Sequence, residues 1–168
     1  MRKVFVAALG LGLTMALSVL PVQASSEKLT GAAPDFTLKT RGGPNTRLKE
    51  LRGEVVMINF WASWCGPCRQ EMPILDDLYK RYSRAGFTIL GVNVEADTRE
   101  ADRYLKEVNV SFPILYDTQS KVSKMFDVDA MPTTVMVDRN GNMRYLHRGY
   151  KPGYEVDYRK QIKELIRE

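Results

Sequence analysis

The feature that most restricts the fold is a succession of apolar and amphipathic stretches around the middle of the chain. Residues 55–61, Val-Val-Met-Ile-Asn-Phe-Trp, are apolar on both faces apart from Asn59, as a central strand covered on both sides would be. After Cys68, the residues Met72, Leu75, Leu78, Tyr79 and Tyr82 recur at helical spacing until Gly86, so a helix is expected there, with Pro73 as an internal kink. Residues 87–94 form a second buried strand. Two covered strands with a helix between them commit the chain to a sheet that carries helices on its faces.

The flanking segments fit around that unit. Residues 35–39 alternate, residues 41–45 are dense in turn formers and residues 47–48 resume, which reads as an N-terminal hairpin. In residues 98–107 charges surround an apolar stripe of Ala101, Tyr104 and Leu105, continued by Val108, the pattern of a surface helix. Residues 112–116 are a short strand candidate and residues 121–126 a short helix. Residues 133–137 and 143–148 are strands joined by Asp138-Arg139-Asn140-Gly141-Asn142, whose Asn-Gly signals a hairpin. In residues 155–167, Ile162, Leu165 and Ile166 share one helical face. The expected class is α/β, a mixed central sheet between helices.

At 168 residues the chain has room for one such domain. Its formal charge of +5 includes Arg2 and Lys3, in a stretch without acids, and the remaining charges are interspersed. Such a balance gives no basic run to track a phosphate backbone, so nucleic acid is not expected as a partner. Residues 1–24 read as a secretory signal peptide: Arg2-Lys3, an uncharged apolar run over residues 4–20, Pro21, then Val22-Gln23-Ala24 at a cleavage site. The alternative is an uncleaved anchor, since 17 residues lie at the lower limit for crossing a bilayer. Residues 25–33 are polar and small and are expected as a flexible lead-in to a domain over residues 34–168. The expected compartment is the periplasm.

The chemistry concentrates in Trp61-Ala62-Ser63-Trp64-Cys65-Gly66-Pro67-Cys68, where the first strand ends and the long helix begins. A strand-to-helix turn presents unpaired N–H groups and the positive end of the helix dipole. A thiolate on Cys65 is stabilised there, which makes Cys65 the expected nucleophile. Cys68, in the first turn, faces the same side and can attack a mixed disulfide on Cys65. Gly66 and Pro67 set the turn between them, and Trp61 and Trp64 flank it with apolar surface. A purely structural bridge fits badly, because closing so short a loop removes little chain entropy. Zinc fits badly too: the two cysteines and the single His147 fall short of the four ligands of a structural site. No metal and no cofactor are expected beyond a redox-active Cys65–Cys68 disulfide.

With Met131-Pro132-Thr133-Thr134 and the opening Ala33-Pro34-Asp35-Phe36, these residues resemble the membrane-associated or periplasmic thioredoxins of the TlpA and ResA type. The resemblance covers nearly all of residues 34–168. It implies a thioredoxin-like three-layer fold with an added N-terminal β-hairpin, thiol–disulfide oxidoreductase activity, and use in cytochrome c maturation. It implies a cis Pro132, with Met131, Pro132 and Thr133 docking a substrate strand opposite Cys65. It implies disulfide-bearing substrate proteins, a membrane thiol electron donor of the CcdA/DsbD kind, and a monomer.

Three positions depart from the family pattern. Asn59 stands where classical thioredoxins carry a buried acid, which leaves no expected acid to take a proton from Cys68. Glu95 lies one place before the position where the family often has a glutamate, and either supports the active site or is a solvated loop acid. Gly66 replaces a common acid. Of the other candidates, His147 reads as a solvated residue of an edge strand, Met125, Met131, Met136 and Met143 as core or loop fillers, and Arg69 as a solvated first-turn cation. A thiol oxidase is the nearest alternative function and a copper chaperone a more distant one, since such chaperones usually space their cysteines wider.

Overall fold

A computed structural model describes residues 26–168; the expected signal peptide lies outside them. Eight strands form one mixed sheet: β1 (Glu27–Lys28), β2 (Thr37–Thr40), β3 (Thr46–Arg47), β4 (Val55–Trp61), β5 (Phe87–Asn93), β6 (Ile114–Tyr116), β7 (Thr133–Val137) and β8 (Met143–Arg148). Their order across the sheet is β1-β8-β7-β4-β5-β6-β2-β3. β4 runs parallel to β5 and antiparallel to β7, so it is central, as its apolar run requires. The helices are α1 (Gly66–Tyr82), α2 (Arg99–Glu107), α3 (Lys121–Met125) and α4 (Tyr154–Arg167).

The alternation of β4 divides the core in two. Val55, Met57 and Trp61 pack with Met72, Leu75 and Leu78 of α1, Leu105 of α2, and Tyr158, Ile162 and Leu165 of α4. Val56, Ile58 and Phe60 face the opposite layer, where Phe36, Leu48, Val122 and Phe126 gather from the N-terminal hairpin and the α3 region. By the same period of two, Asn59 points to the α1 and α4 side. This is a thioredoxin-like α/β fold with helices on both faces of the sheet. The helix expected to end at Gly86 continues through Pro73 to Tyr82 and closes in a short turn, with Gly86 in the left-handed region at φ 81°.

Two expectations are corrected. The lead-in is partly built into the sheet: Glu27 and Lys28 pair with Leu146 and Tyr145 of β8, and Ala32 bridges Asn142. Polar composition hid this pairing, because an added strand is held through backbone groups. As a consequence β8 is not an edge strand; its His147 is fully buried rather than solvated, because α4 covers that face of β8. The His147 ring packs edge-on against Tyr158 at 4.7 Å between centroids, and its Nε2 pairs with Gln161 Oε1 at 2.9 Å. Burial lowers its pKa, so the imidazole is neutral.

Candidate active site

Cys65 is the N-cap of α1, and Pro67 occupies the first turn, where a missing N–H costs nothing. Cys65 and Cys68 are joined by a disulfide, with their Cα atoms 5.3 Å apart. The backbone N–H of Cys68 donates to Cys65 Sγ at 3.1 Å, so the sulfur caps the helix as an oxygen normally would. The same N–H and the helix dipole favour a negative charge on Cys65 once the bridge is opened. Both residues are nearly buried, at 4% and 1% exposure, whereas Trp64 beside them is 71% exposed.

The turn before Cys65 is tied to the neighbouring strand by Glu95. Its carboxylate accepts the Ser63 N–H, the Ser63 hydroxyl and the Asn93 side-chain amide, each at 2.8 Å. The Glu95 N–H in turn donates to Asn93 Oδ1 at 3.2 Å. Because Asn93 pairs in register with Trp61, Glu95 emerges beside the turn and spans to it directly. Glu95 is therefore no free loop acid, and a glutamate one place later is not needed for this contact.

On the other flank, β7 begins at Thr133, opposite Phe60. The Met131–Pro132 bond is cis, and Met131 packs against both halves of the core. Pro132 O accepts the Gly149 N–H at 2.7 Å, and the Thr133 hydroxyl donates to Ala130 O at 2.8 Å. The pairing of β4 with β7 thus brings Met131, Pro132 and Thr133 to the end of the sheet that carries the cysteines. Arg69 is half exposed, lies 4.5 Å over the Tyr104 ring and reaches Glu107, which ties a first-turn cation to α2.

The expectation that no buried acid lies near the cysteines is overturned by Glu71. It sits three residues after Cys68 on the same helical face and is fully buried. Asn59 Nδ2 donates to its Oε2 at 2.8 Å, and Tyr158 donates its hydroxyl to Oε1 at 2.6 Å. Burial raises its pKa from 4.5 to about 7, against the opposing pull of those two hydrogen bonds. The strand has exchanged an acid for an amide, and the helix supplies the acid instead. The signal in the sequence was a charge inside the apolar stripe of α1, between Cys68 and Leu75. Among the described residues no group of three or more His, Cys, Asp or Glu is placed to hold a metal ion.

A sheet of this topology with a disulfide at the start of α1 defines a thioredoxin-like protein whose cysteine pair is placed for thiol–disulfide exchange. The family model described as Redoxin matches residues 28–162. The thiol-disulfide oxidoreductase ResA of Geobacillus kaustophilus is 38% identical over 117 residues, 70% of this chain and 67% of that protein. ResA of Bacillus subtilis is 34% identical over 111 residues, 66% of this chain and 62% of that protein. The matches thus span about two thirds of these relatives. The crystal structure of a Chlorobium tepidum protein assigned as a thiol:disulfide interchange protein DsbE superposes with a TM-score of 0.79 at 34% identity, covering 84% of this chain and 99% of that one. The chain belongs to the Redoxin family, among its ResA-like thiol-disulfide oxidoreductases.

Proposed function

We propose that this protein is an exported reductase of disulfides in other proteins, with Cys65 as nucleophile, Cys68 as resolving thiol and Glu71 as acceptor of the Cys68 proton. The observation that carries this reading is the spacing of the three groups at every third residue along the first turns of α1, from the nearly buried Cys65 sulfur that caps the helix to the fully buried Glu71 carboxyl. The Cys65 thiolate attacks one sulfur of a substrate disulfide, forming a mixed disulfide and expelling a substrate thiolate that takes a proton from water. Cys68 passes its thiol proton to the Glu71 carboxylate and attacks Cys65 Sγ. The Cys65–Cys68 bond forms, and the second substrate thiolate leaves and is protonated. The substrate gains two electrons and the protein's dithiol loses two.

Direction follows from charge. A carboxylate buried beside Cys68 opposes a thiolate there, and so destabilises the reduced, anionic form that makes a strong oxidant. The Gly66-Pro67 pair points the same way through the resemblance to reducing thioredoxins. Arg2-Lys3 and the apolar run of residues 4–20 support export to the periplasm. In an oxidising compartment the dithiol has to be regenerated, which supports a membrane thiol donor of the CcdA/DsbD kind. The resemblance of the Cys65–Cys68 and Met131–Thr134 segments to thioredoxins of the TlpA and ResA type supports cytochrome c maturation as the finer assignment.

Equilibration with glutathione tests the direction. The expected potential lies nearer roughly −270 mV than roughly −120 mV, and a value above about −170 mV reassigns the protein as an oxidant. Trapping with Cys68→Ala, which halts exchange at the mixed disulfide, identifies the substrate; an apocytochrome among the captured proteins supports the finer assignment.

A further inference from the structure

Helix α4 is the last element of the chain, yet one of its side chains reaches the proton acceptor proposed above. Tyr158 is fully buried and donates its hydroxyl to Glu71 Oε1 at 2.6 Å. Its ring is held edge-on by His147 of β8, and that imidazole is fixed in turn by Gln161, one helical turn further along α4. The other carboxylate oxygen is held by Asn59, whose amide also donates to Thr134 Oγ1 at 2.9 Å. The carboxyl therefore has a donor from the helix on one side and a donor from the sheet on the other.

We infer that Tyr158 is a positioning residue for the resolving step, whose hydroxyl keeps Glu71 able to exist as the carboxylate that takes the Cys68 proton. A carboxylate in an apolar interior is disfavoured, and a donor to its oxygen relieves that cost more in the charged than in the neutral form. Tyr158 does not compete as an acid: burial and the neighbouring carboxylate push its own pKa well up, so it remains a donor. The titratable groups that face this pair are Cys68 on α1, His147 on β8, Tyr150 in the following loop and Tyr154 on α4. Burial keeps the imidazole neutral and Tyr150 protonated. Glu155 and Asp157 are the acids of the first turn of α4 and act through Tyr150 and His147.

The inference rests on Glu71 as the acceptor, and one experiment separates the two. Reduced protein mixed rapidly with 5,5′-dithiobis(2-nitrobenzoic acid) releases one thionitrobenzoate when Cys65 attacks and a second when Cys68 resolves the mixed disulfide. The rate of the second release is followed against pH in the unaltered protein, Tyr158→Phe and Glu71→Gln. Expected are a rise through about pH 7 in the unaltered protein, the same rise displaced upward by about one pH unit in Tyr158→Phe, and no such rise in Glu71→Gln. A profile for Tyr158→Phe that superposes on the unaltered one, with Glu71→Gln slowed, overturns the inference and leaves the acceptor standing. An unchanged second release in Glu71→Gln overturns both. An isotope-edited NMR titration of the Glu71 carboxyl gives a second reading: its midpoint rises in Tyr158→Phe if the hydroxyl acts on ionisation, and stays if Tyr158 only packs.

Discussion

The two flanks of the Cys65–Cys68 bridge each carry one glutamate, and the two are held in opposite ways. Glu95 stands at the rim, partly exposed, with three donors on its oxygens and the turn before Cys65 as its load. Glu71 stands in the interior, cut off from water, with two donors and a pKa lifted to about 7. The first shapes backbone through its hydrogen bonds; desolvation of the second disfavours its charged form and leaves it able to exchange a proton near pH 7. The same residue type therefore ties down backbone on one side of the bridge and lies desolvated, with a raised pKa, on the other.

That contrast can be broken by measurement. The largest effect expected is on stability against pH. The folded protein holds the Glu71 proton up to about pH 7, while the unfolded chain releases it near its ordinary 4.5. The contribution of Glu71 is thus fully present below pH 4.5 and lost as pH rises through 7, a decline of about 3 kcal/mol. Asp76, Asp102 and Asp138, whose pKa values are lowered, work in the opposite sense at more acid pH. Urea unfolding of the unaltered protein and Glu71→Gln at several pH values isolates the Glu71 part, and a slope that survives the substitution refutes it.

Next in size, Glu71→Gln is expected to slow the resolving step about a hundredfold at neutral pH, as loss of a general base does. Glu95→Gln should leave the pH slope of stability in place and lower stability itself by about 1–3 kcal/mol, since one of its donors then meets an amide N–H. If Glu95→Gln abolishes the slope instead, the roles of the two acids are reversed. The smallest effect expected is for Trp64→Ala, at the exposed rim: stability within about 0.5 kcal/mol, reduction of a small aromatic disulfide unchanged, and reduction of a protein disulfide slowed. Equal loss on both substrates would argue that Trp64 shapes the Cys65 turn rather than meeting the substrate.

Much of this site was legible because its signals are local. Cys65 and Cys68 are recognisable from their spacing and from the strand and helix on either side, and each secondary element lies close to where its pattern puts it. The misreadings all concern partners distant in sequence. Residues 25–33 read as unstructured, since the backbone pairing of Glu27 and Lys28 with β8 leaves no mark in side-chain pattern. His147 looked solvated because neither β1 nor α4 is visible from β8 itself. Glu95 could be read as solvated or supporting, because Ser63 lies 32 residues away.

Local sequence carries the sheet-and-helix alternation and the place of the dithiol at a helix start, since periodicity, turn chemistry and helix polarity act over a few residues. The surroundings of the acid that follows Cys68 on α1, and so its state, come only from the tertiary structure. Asn59, Glu71 and Tyr158 come from β4, α1 and α4, and the hydroxyl that bonds Glu71 is 87 residues away along the chain. Desolvation is a property of everything packed around a group, and so a glutamate that reads as an ordinary helix residue acquires a pKa of about 7 only once those elements close over it.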